Sequence, residues 1–394
     1  MRLARMAALA LTLVMAGTIR GFAQPPPEAV QKCQQNLSQR LGLPLETIRI
    51  SRMRQVLFPD VSLGLPRPGE NPTRARISGR ILLLEAGRES YLYTASESRF
   101  RYGGPLRSWK YSALAIHPVP GDPDQNGDLV QTSLVGTNPS VRLRRVRDFR
   151  PQTDGSLLAW RRLSRSSQEL LYLPPGNTKK EHRLLTAFDL AAGTLDSAKS
   201  RWACFMRSGP SVSWALACNR LDAEADQTRL VQLPAQARPV RVFWEEANPV
   251  IEVTVSGGTR HFELAREGET ENWRELATYP DPLTRDLQIN KNQRLLVRAS
   301  PQGRSTLVLE AWSSGDERVL ANISAFEAHQ VSLSAGKEFL VLSGRRGDES
   351  RAFTVDLKTC EVMFLGRDFQ GEARIFRQPV GDWSRLEKWL RLKS

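Results

Sequence analysis

Histidine and cysteine are scarce in this chain of 394 residues, four of each, and the histidines stand far apart at positions 117, 182, 261 and 329. Zinc-finger and H-E-x-x-H centres need clustered ligands, so a local metal site of either kind is excluded. Long apolar runs are missing too. No later segment approaches the roughly 20 apolar residues of a spanning helix. The catalytic signatures are equally sparse. There is no G-x-S-x-G elbow, and the S-x-x-K match at Ser334 to Lys337 falls on a turn that the repeat described below explains. Glu245 and Glu246 are adjacent, so on a strand they face opposite ways and form no acid–base pair.

What is present is basic charge and export chemistry. The chain holds 56 Lys+Arg against 42 Asp+Glu, a formal net charge of +14. Arg2 and Arg5 precede an apolar core from Met6 to Met15, and Gly21-Phe22-Ala23 supplies a small-x-small cleavage site before Gln24. These three regions read as a signal peptide over 1–23, with a buried N-terminal helix as the alternative. Its removal takes three arginines and leaves 53 Lys+Arg against 42 Asp+Glu, or +11. The mature chain is expected to be soluble, without a transmembrane segment, and periplasmic or secreted from a bacterium. With 40% apolar and 25% charged residues it also contains enough core to fold.

The mature sequence is expected to divide near residue 118. In the first part, residues 24–118, Val30, Cys33, Leu37 and Leu41 recur at helical spacing, which predicts a helix over 28–41 ending at Gly42 and Pro44. A strand is expected from Ile48 to Leu57, a long Pro/Gly-rich loop over 58–79, then a hairpin of Ile81–Leu84 and Tyr91–Tyr93 about a turn at Ala86-Gly87-Arg88. The sum is a small α+β domain. Its stretch Phe58-Pro59-Asp60-Val61-Ser62-Leu63-Gly64-Leu65-Pro66, followed by the hairpin, resembles a small domain of uncharacterised exported bacterial proteins with the pattern W-P-D-x-S-L-G-C-P. Phe58 stands for the Trp and Leu65 for the Cys. Because Arg99 to Pro105 also lacks a cysteine, the resemblance implies the loss of one disulfide, and it carries no activity.

From residue 119 to about 380 short apolar strands alternate with turn residues. Strand starts recur at Leu157, Trp202, Ile251, Leu295 and Phe339, with offsets of 45, 49, 44 and 44. That is the period of a propeller blade. Asp154-Gly155, Asn290 to Asn292 and Ala335-Gly336 precede three of these strands as turns. Second strands are expected at Thr186–Leu190, Leu307–Ala311 and Phe353–Leu357. The units resemble TolB-type propeller repeats, whose turn runs D-L-x-T-G-E; the nearest copy is Asp356-Leu357-Lys358-Thr359-Cys360-Glu361, with Cys360 in the Gly place. The resemblance implies six blades; five repeats are visible, and combining the leftover residues 128–147 with 372–377 in a sixth would close the ring, with five or seven blades as the alternatives. Asp382 reads as the N-cap of a C-terminal helix over 381–394.

Three local patterns could bear ligands or cross-links. Cys204 and Cys218 each lie seven residues from Ser211, so a hairpin turning there sets them opposite each other; a disulfide is one reading and two buried apolar residues the other. Cys33 and Cys360 could also pair, since sequence does not fix connectivity. Asp122, Asp124, Asn126 and Asp128 resemble the opening of a calcium loop, yet Ser133 stands where a bidentate Glu belongs, and a solvated turn is the competing reading. No other cofactor is expected. Arg142, Arg144, Arg145 and Arg147 form the densest basic run, suited to an anionic surface, a polysaccharide or an envelope protein, unless their role is to block edge pairing. Nucleic acid is not expected, because no recognised module is present. The first expectation is therefore a non-catalytic binding scaffold in the cell envelope; the alternative is a periplasmic or secreted propeller hydrolase or lyase acting on glycans or peptides.

Overall fold

The computed structural model describes residues 27–376 apart from short internal stretches, the longest being 277–287. The signal segment, Asp124 and the C-terminal helix expected from Asp382 lie outside the described residues. The chain is mainly β, a six-bladed propeller preceded by a small α+β unit.

Helix α1 (Glu28–Leu41) forms where the apolar spacing requires it, and Gly42 ends it in the left-handed conformation, φ 64°. Its face of Val30, Cys33 and Leu37 packs on Leu82, Leu84, Tyr91 and Tyr93. Those residues belong to a sheet in the order β1 (Ile48–Asp60), β2 (Arg74–Ala86), β3 (Glu89–Ala95) and β4 (Phe100–Pro105). The expected loop over 58–79 is shorter, since β1 runs to Asp60 and β2 begins at Arg74. The P-D-x-S-L-G segment fills the gap. The Asp60 carboxylate accepts the backbone N–H of Ser62 at 2.8 Å and the Ser62 hydroxyl, while Leu63 and Gly64 both take positive φ. Phe58 covers this turn, lying against Gly64 and against Gly79, where a Cβ would come within 2.7 Å of the ring. Leu65, in the cysteine place, is buried with Leu83, Leu92 and Trp109.

The propeller begins earlier than residue 119. Strand β5 (Ser112–Pro118) pairs with β6 (Gly127–Ser133) on one side and with the last strand, β28 (Gln370–Phe376), on the other, and β7 (Ser140–Val146) completes the sheet β28-β5-β6-β7. Strands from both ends of the described chain thus close one blade and remove an exposed edge. The expected division near 118 places β5 in the small domain, and its pairing with β28 and β6 corrects this. The repeat itself points to it, since one 45-residue period before Leu157 is Ser112. Blade one is β8 (Asp148–Pro151), β9 (Leu157–Ser164), β10 (Ser167–Leu173) and β11 (His182–Ala187). Blade two is β12 (Asp189–Leu195), β13 (Arg201–Arg207), β14 (Ala215–Arg220) and β15 (Arg229–Gln232). Blade three is β16 (Arg238–Glu245), β17 (Asn248–Val255), β18 (Gly258–Glu267) and β19 (Thr270–Glu275); blade four is β20 (Gln288–Asn290), β21 (Gln293–Ser300), β22 (Arg304–Ala311) and β23 (Glu317–Ile323). Blade five is β24 (Glu327–Leu333), β25 (Phe339–Arg346), β26 (Glu349–Asp356) and β27 (Val362–Arg367).

The five recurring starts mark the second strand of blades one to five. Of the three further strands expected, Leu307–Ala311 lies in β22 and Phe353–Leu357 follows β26 into its turn. Thr186–Leu190 instead straddles the junction between β11 and β12. First strands of adjacent blades pack together, β12 on β16, β24 on β28 and β28 on β8, and so line the axis. Alternating connections then define two faces of the ring. First strands start on one, here named the entry face, and end on the other, the exit face.

The small domain docks on the exit face through the D-L-K-T-C-E turn between β26 and β27. Asp356 is fully buried and binds Arg107, which also pairs with Glu89 at 3.1 Å. Glu361, 4% exposed, accepts the Tyr102 hydroxyl at 2.7 Å and pairs with Arg40 at 3.2 Å. Burial raises the Glu361 carboxyl above the ordinary glutamate range, with Tyr102 and Arg40 opposing. Lys358 adds an ion pair to Glu89, and Arg107 stacks on Phe339, 4.6 Å from its centroid. Cys360 takes φ 60°, the left-handed conformation a glycine would adopt more easily.

Candidate binding face

On the entry face the structure gathers most of the basic residues read from sequence. Strand β7 is the outer edge of its blade and carries two bulges. Gly127 pairs with Val146 and Leu129 with Leu143, so Arg144 and Arg145 together oppose Asp128; a second extra residue, Arg142, lies between Leu143 and Val141. The bulge brings Arg145 to φ 59° and leaves both Arg144 and Arg145 exposed, where simple alternation would have divided them between two faces. Arg142 is half-buried, and its guanidinium is held below the usual arginine range by burial.

Arg147 continues the rim into blade one. Its backbone N–H donates to the Trp160 carbonyl at 2.8 Å. Partial burial, then the charge of Arg162, hold its guanidinium below the usual range, with Asp189 and Asp148 opposing. Arg162 is fixed from the neighbouring blade. The Asn126 carboxamide accepts the Arg162 backbone N–H and donates to its carbonyl, each at 3.2 Å, while the Arg162 Nε is buried without a hydrogen-bond partner.

Asn126 is 1% exposed, and its side-chain oxygen accepts the Arg162 backbone N–H of blade one. Asp128 faces the arginine bulge. No group of three His, Cys, Asp or Glu able to hold a metal occurs among the described residues.

The disulfide reading of Cys204 and Cys218 fails on register. Ala203 pairs with Cys218 and Cys204 with Ala217, one residue away from the symmetric hairpin about Ser211. A one-residue slip sends the two side chains to opposite faces of the blade. Cys204 lies in the core shared with blade one, Cys218 in that shared with blade three, and all four cysteines are free thiols. Burial pushes the Cys33 thiol up to about 12.

Sequence reasoning missed the second half of this face. Asp189, the first residue of β12, receives Gln168 Nε2 at 2.6 Å and Arg207 Nη2 at 3.0 Å. The Arg207 guanidinium stacks on Trp214, 5.1 Å from the centroid, and on Phe188 at 5.5 Å. Beside Trp214 a cleft of about 650 Å³ opens between blades two and three, lined by Leu233, Pro234, Ala237, Arg238 and Val255. Among the described residues no carboxylate or histidine lines it. The available signal was positional: all these residues sit at blade connections on one side of the ring.

Residues 30–101 match a domain of unknown function (DUF8738). No curated protein matches the sequence. Solved structures similar to this chain include TolB from Acinetobacter baumannii, with a TM-score of 0.46 and 12% identity over 90% of this chain and 88% of that one. The periplasmic gluconolactonase PpgL from Pseudomonas aeruginosa gives 0.37 and 12% over 67% and 98%. Oligopeptidase B from Leishmania major gives 0.33 and 8% over 77% of this chain but only 46% of that one. No helix among the described residues is long and apolar enough to cross a membrane.

Proposed function

We propose that this chain is an exported, non-catalytic propeller that binds an anionic partner of the cell envelope, a protein or a polysaccharide, through its entry face. The observation that carries this reading is the bulged β7 strand. It exposes Arg144 and Arg145 together and sets them beside Arg147 and Arg162, two guanidinium groups close enough for one to depress the other. Clustered like charge of this sort raises the local concentration of anions and is screened by salt. Bulges and charge also blunt an edge strand, so the arginines serve solubility as well.

The hydrolase reading needs carboxylates or histidines converging on one pocket. Asp189 is engaged by Gln168 and Arg207, and Asp148 accepts the Phe149 N–H at 2.7 Å. These contacts favour binding over acid–base work. The test is retention of the full chain on an immobilised acidic polysaccharide and on vesicles rich in anionic lipid. Binding that weakens with salt and is lost in the R144Q/R145Q double variant is expected; salt-independent retention, or turnover in a broad hydrolase screen without retention, would reverse the reading.

A further inference from the structure

We infer that the cleft between blades two and three is a docking site for a short acidic peptide segment of a partner protein, one that sets a carboxylate beside an apolar side chain. The inference rests on the entry face being the binding face and assigns a second, chemically distinct subsite to it.

Three observations converge. The cleft walls are mixed, with Leu233, Pro234, Ala237 and Val255 beside the polar Ser213, Gln236, Thr254 and Ser256, and with the Trp214 indole at one side. Trp214 and its neighbours offer an anchor pocket of the kind in which an aromatic or aliphatic side chain gains most on desolvation. Arg238 lines the same cleft and makes no hydrogen bond or ion pair among the described residues, so a guanidinium fork is available for a carboxylate. At the Trp214 side Arg207 supplies a second cation. Its Nη2 is engaged by Asp189 and its Nη1 donates to the Pro210 carbonyl at 3.3 Å, so Arg207 contributes field at the rim while Arg238 supplies the open fork. Positive charge bordering a trough with an apolar floor, and no carboxylate among the described lining residues, selects a ligand that is both anionic and partly apolar. A polysaccharide supplies the charge without the apolar group. The volume of about 650 Å³ is that of a ligand pocket and holds only a few residues.

The experiment is fluorescence anisotropy on the full chain with a labelled hexapeptide bearing two aspartates around a phenylalanine and a leucine, and with its counterpart carrying asparagines instead. The acidic peptide should bind at least about tenfold more tightly than the neutral one, and both R238Q and W214A should lose at least about tenfold in affinity. R238Q replaces an exposed side chain, so its folding is not in question. The R144Q/R145Q variant should bind the peptide nearly as well as the parent, because the bulged strand lies in another blade. Equal binding of the two peptides, or unchanged affinity in R238Q, would overturn the inference. Peptide binding lost only in R144Q/R145Q would overturn it while leaving the anionic-partner reading standing. Loss in neither variant, with dextran sulfate and anionic vesicles also unbound, would remove both. Peptide-independent dimerisation abolished by W214A would assign the cleft to a second copy of this chain and likewise overturn it.

Discussion

The two faces of the ring use charge in opposite ways. On the exit face, acids and bases are buried and paired: Asp356, Glu361 and Arg107 each have ion-pair partners across the domain boundary, although the Arg107 Nη1 is buried without a hydrogen-bond partner. On the entry face, Arg144 and Arg145 are exposed at a bulge, Arg238 is unpaired among the described residues, and Arg162 keeps a buried Nε without a partner. Buried pairs make a structure intolerant of losing one partner. Exposed cations contribute little to stability and present their charge at the surface. The difference separates a docking joint from a binding face.

The largest break in that comparison should come from Asp356→Ala. Besides Arg107, Asp356 Oδ1 accepts the N–H groups of Lys358 at 2.9 Å and Thr359 at 3.2 Å. Removing it leaves the Arg107 guanidinium with Glu89 alone in a nearly dry site, which costs about 3–5 kcal/mol. Chemical denaturation should show this loss, and limited proteolysis should reach the linker between β4 and β5 sooner than in the parent. A loss no larger than that of an exposed ion pair would deny the exit face its role as a joint.

Gly136→Ala tests the same face through the backbone. Gly136 sits at φ 69° in the turn between β6 and β7, and a Cβ there would lie 2.0 Å from the Leu365 carbonyl oxygen of blade five. Blade five or the closing blade β28-β5-β6-β7 must move, at a cost of about 1–3 kcal/mol. A melting temperature unchanged by the substitution would contradict so close a contact.

These two positions also show what was legible in the sequence. The helix over 28–41, the hairpin turn at Gly87 and the blade period follow from local patterns, because spacing and turn residues act within a few residues of themselves. Strand β5 was misassigned since its partner, β28, is some 250 residues away, and only the backward extension of the period could have placed it in the ring. The cysteine pair failed by one residue of register, a quantity that hydrophobic spacing about Ser211 does not fix. The arginine run was readable as a cluster. Its bulges were not, and neither was Arg238, which lies far along the chain and reaches the cleft only once blade three is folded.

Acid should act differently on the two kinds of charge. The carboxyl of Glu361 is raised in the folded protein, so its contribution is fully present below the ordinary glutamate value and is lost as pH rises through the raised one. In that window, lowering the pH favours the folded, docked state through this group. Asp196 and Glu263 have lowered values, the former despite burial because Arg201 and backbone donors hold it, the latter through Asn248 and Arg274; they withdraw stability as pH falls through those values. Glu361→Gln keeps an acceptor for Tyr102 and removes the titration. The difference in denaturation midpoint between parent and E361Q should therefore shift in the parent's favour on acidification, and parallel pH profiles would contradict this.

The smallest effect on stability, and the sharpest separation of the faces, is expected at Arg145. A non-glycine residue at φ 59° bears a left-handed backbone that glycine adopts without penalty. Glycine also enlarges the freedom of the unfolded chain, by about 0.4–1 kcal/mol, so the two effects of Arg145→Gly nearly cancel and the net change should stay within about 1 kcal/mol. The bulge opposite Asp128 survives, since it is a backbone feature that glycine suits. What disappears is a guanidinium at the rim of the entry face. If that face binds an anionic partner, the single substitution should leave the melting curve in place while reducing the salt-sensitive part of binding. If its arginines serve only to keep the β7 edge from pairing, the same variant should bind as before and aggregate sooner, and the two outcomes are read from one preparation.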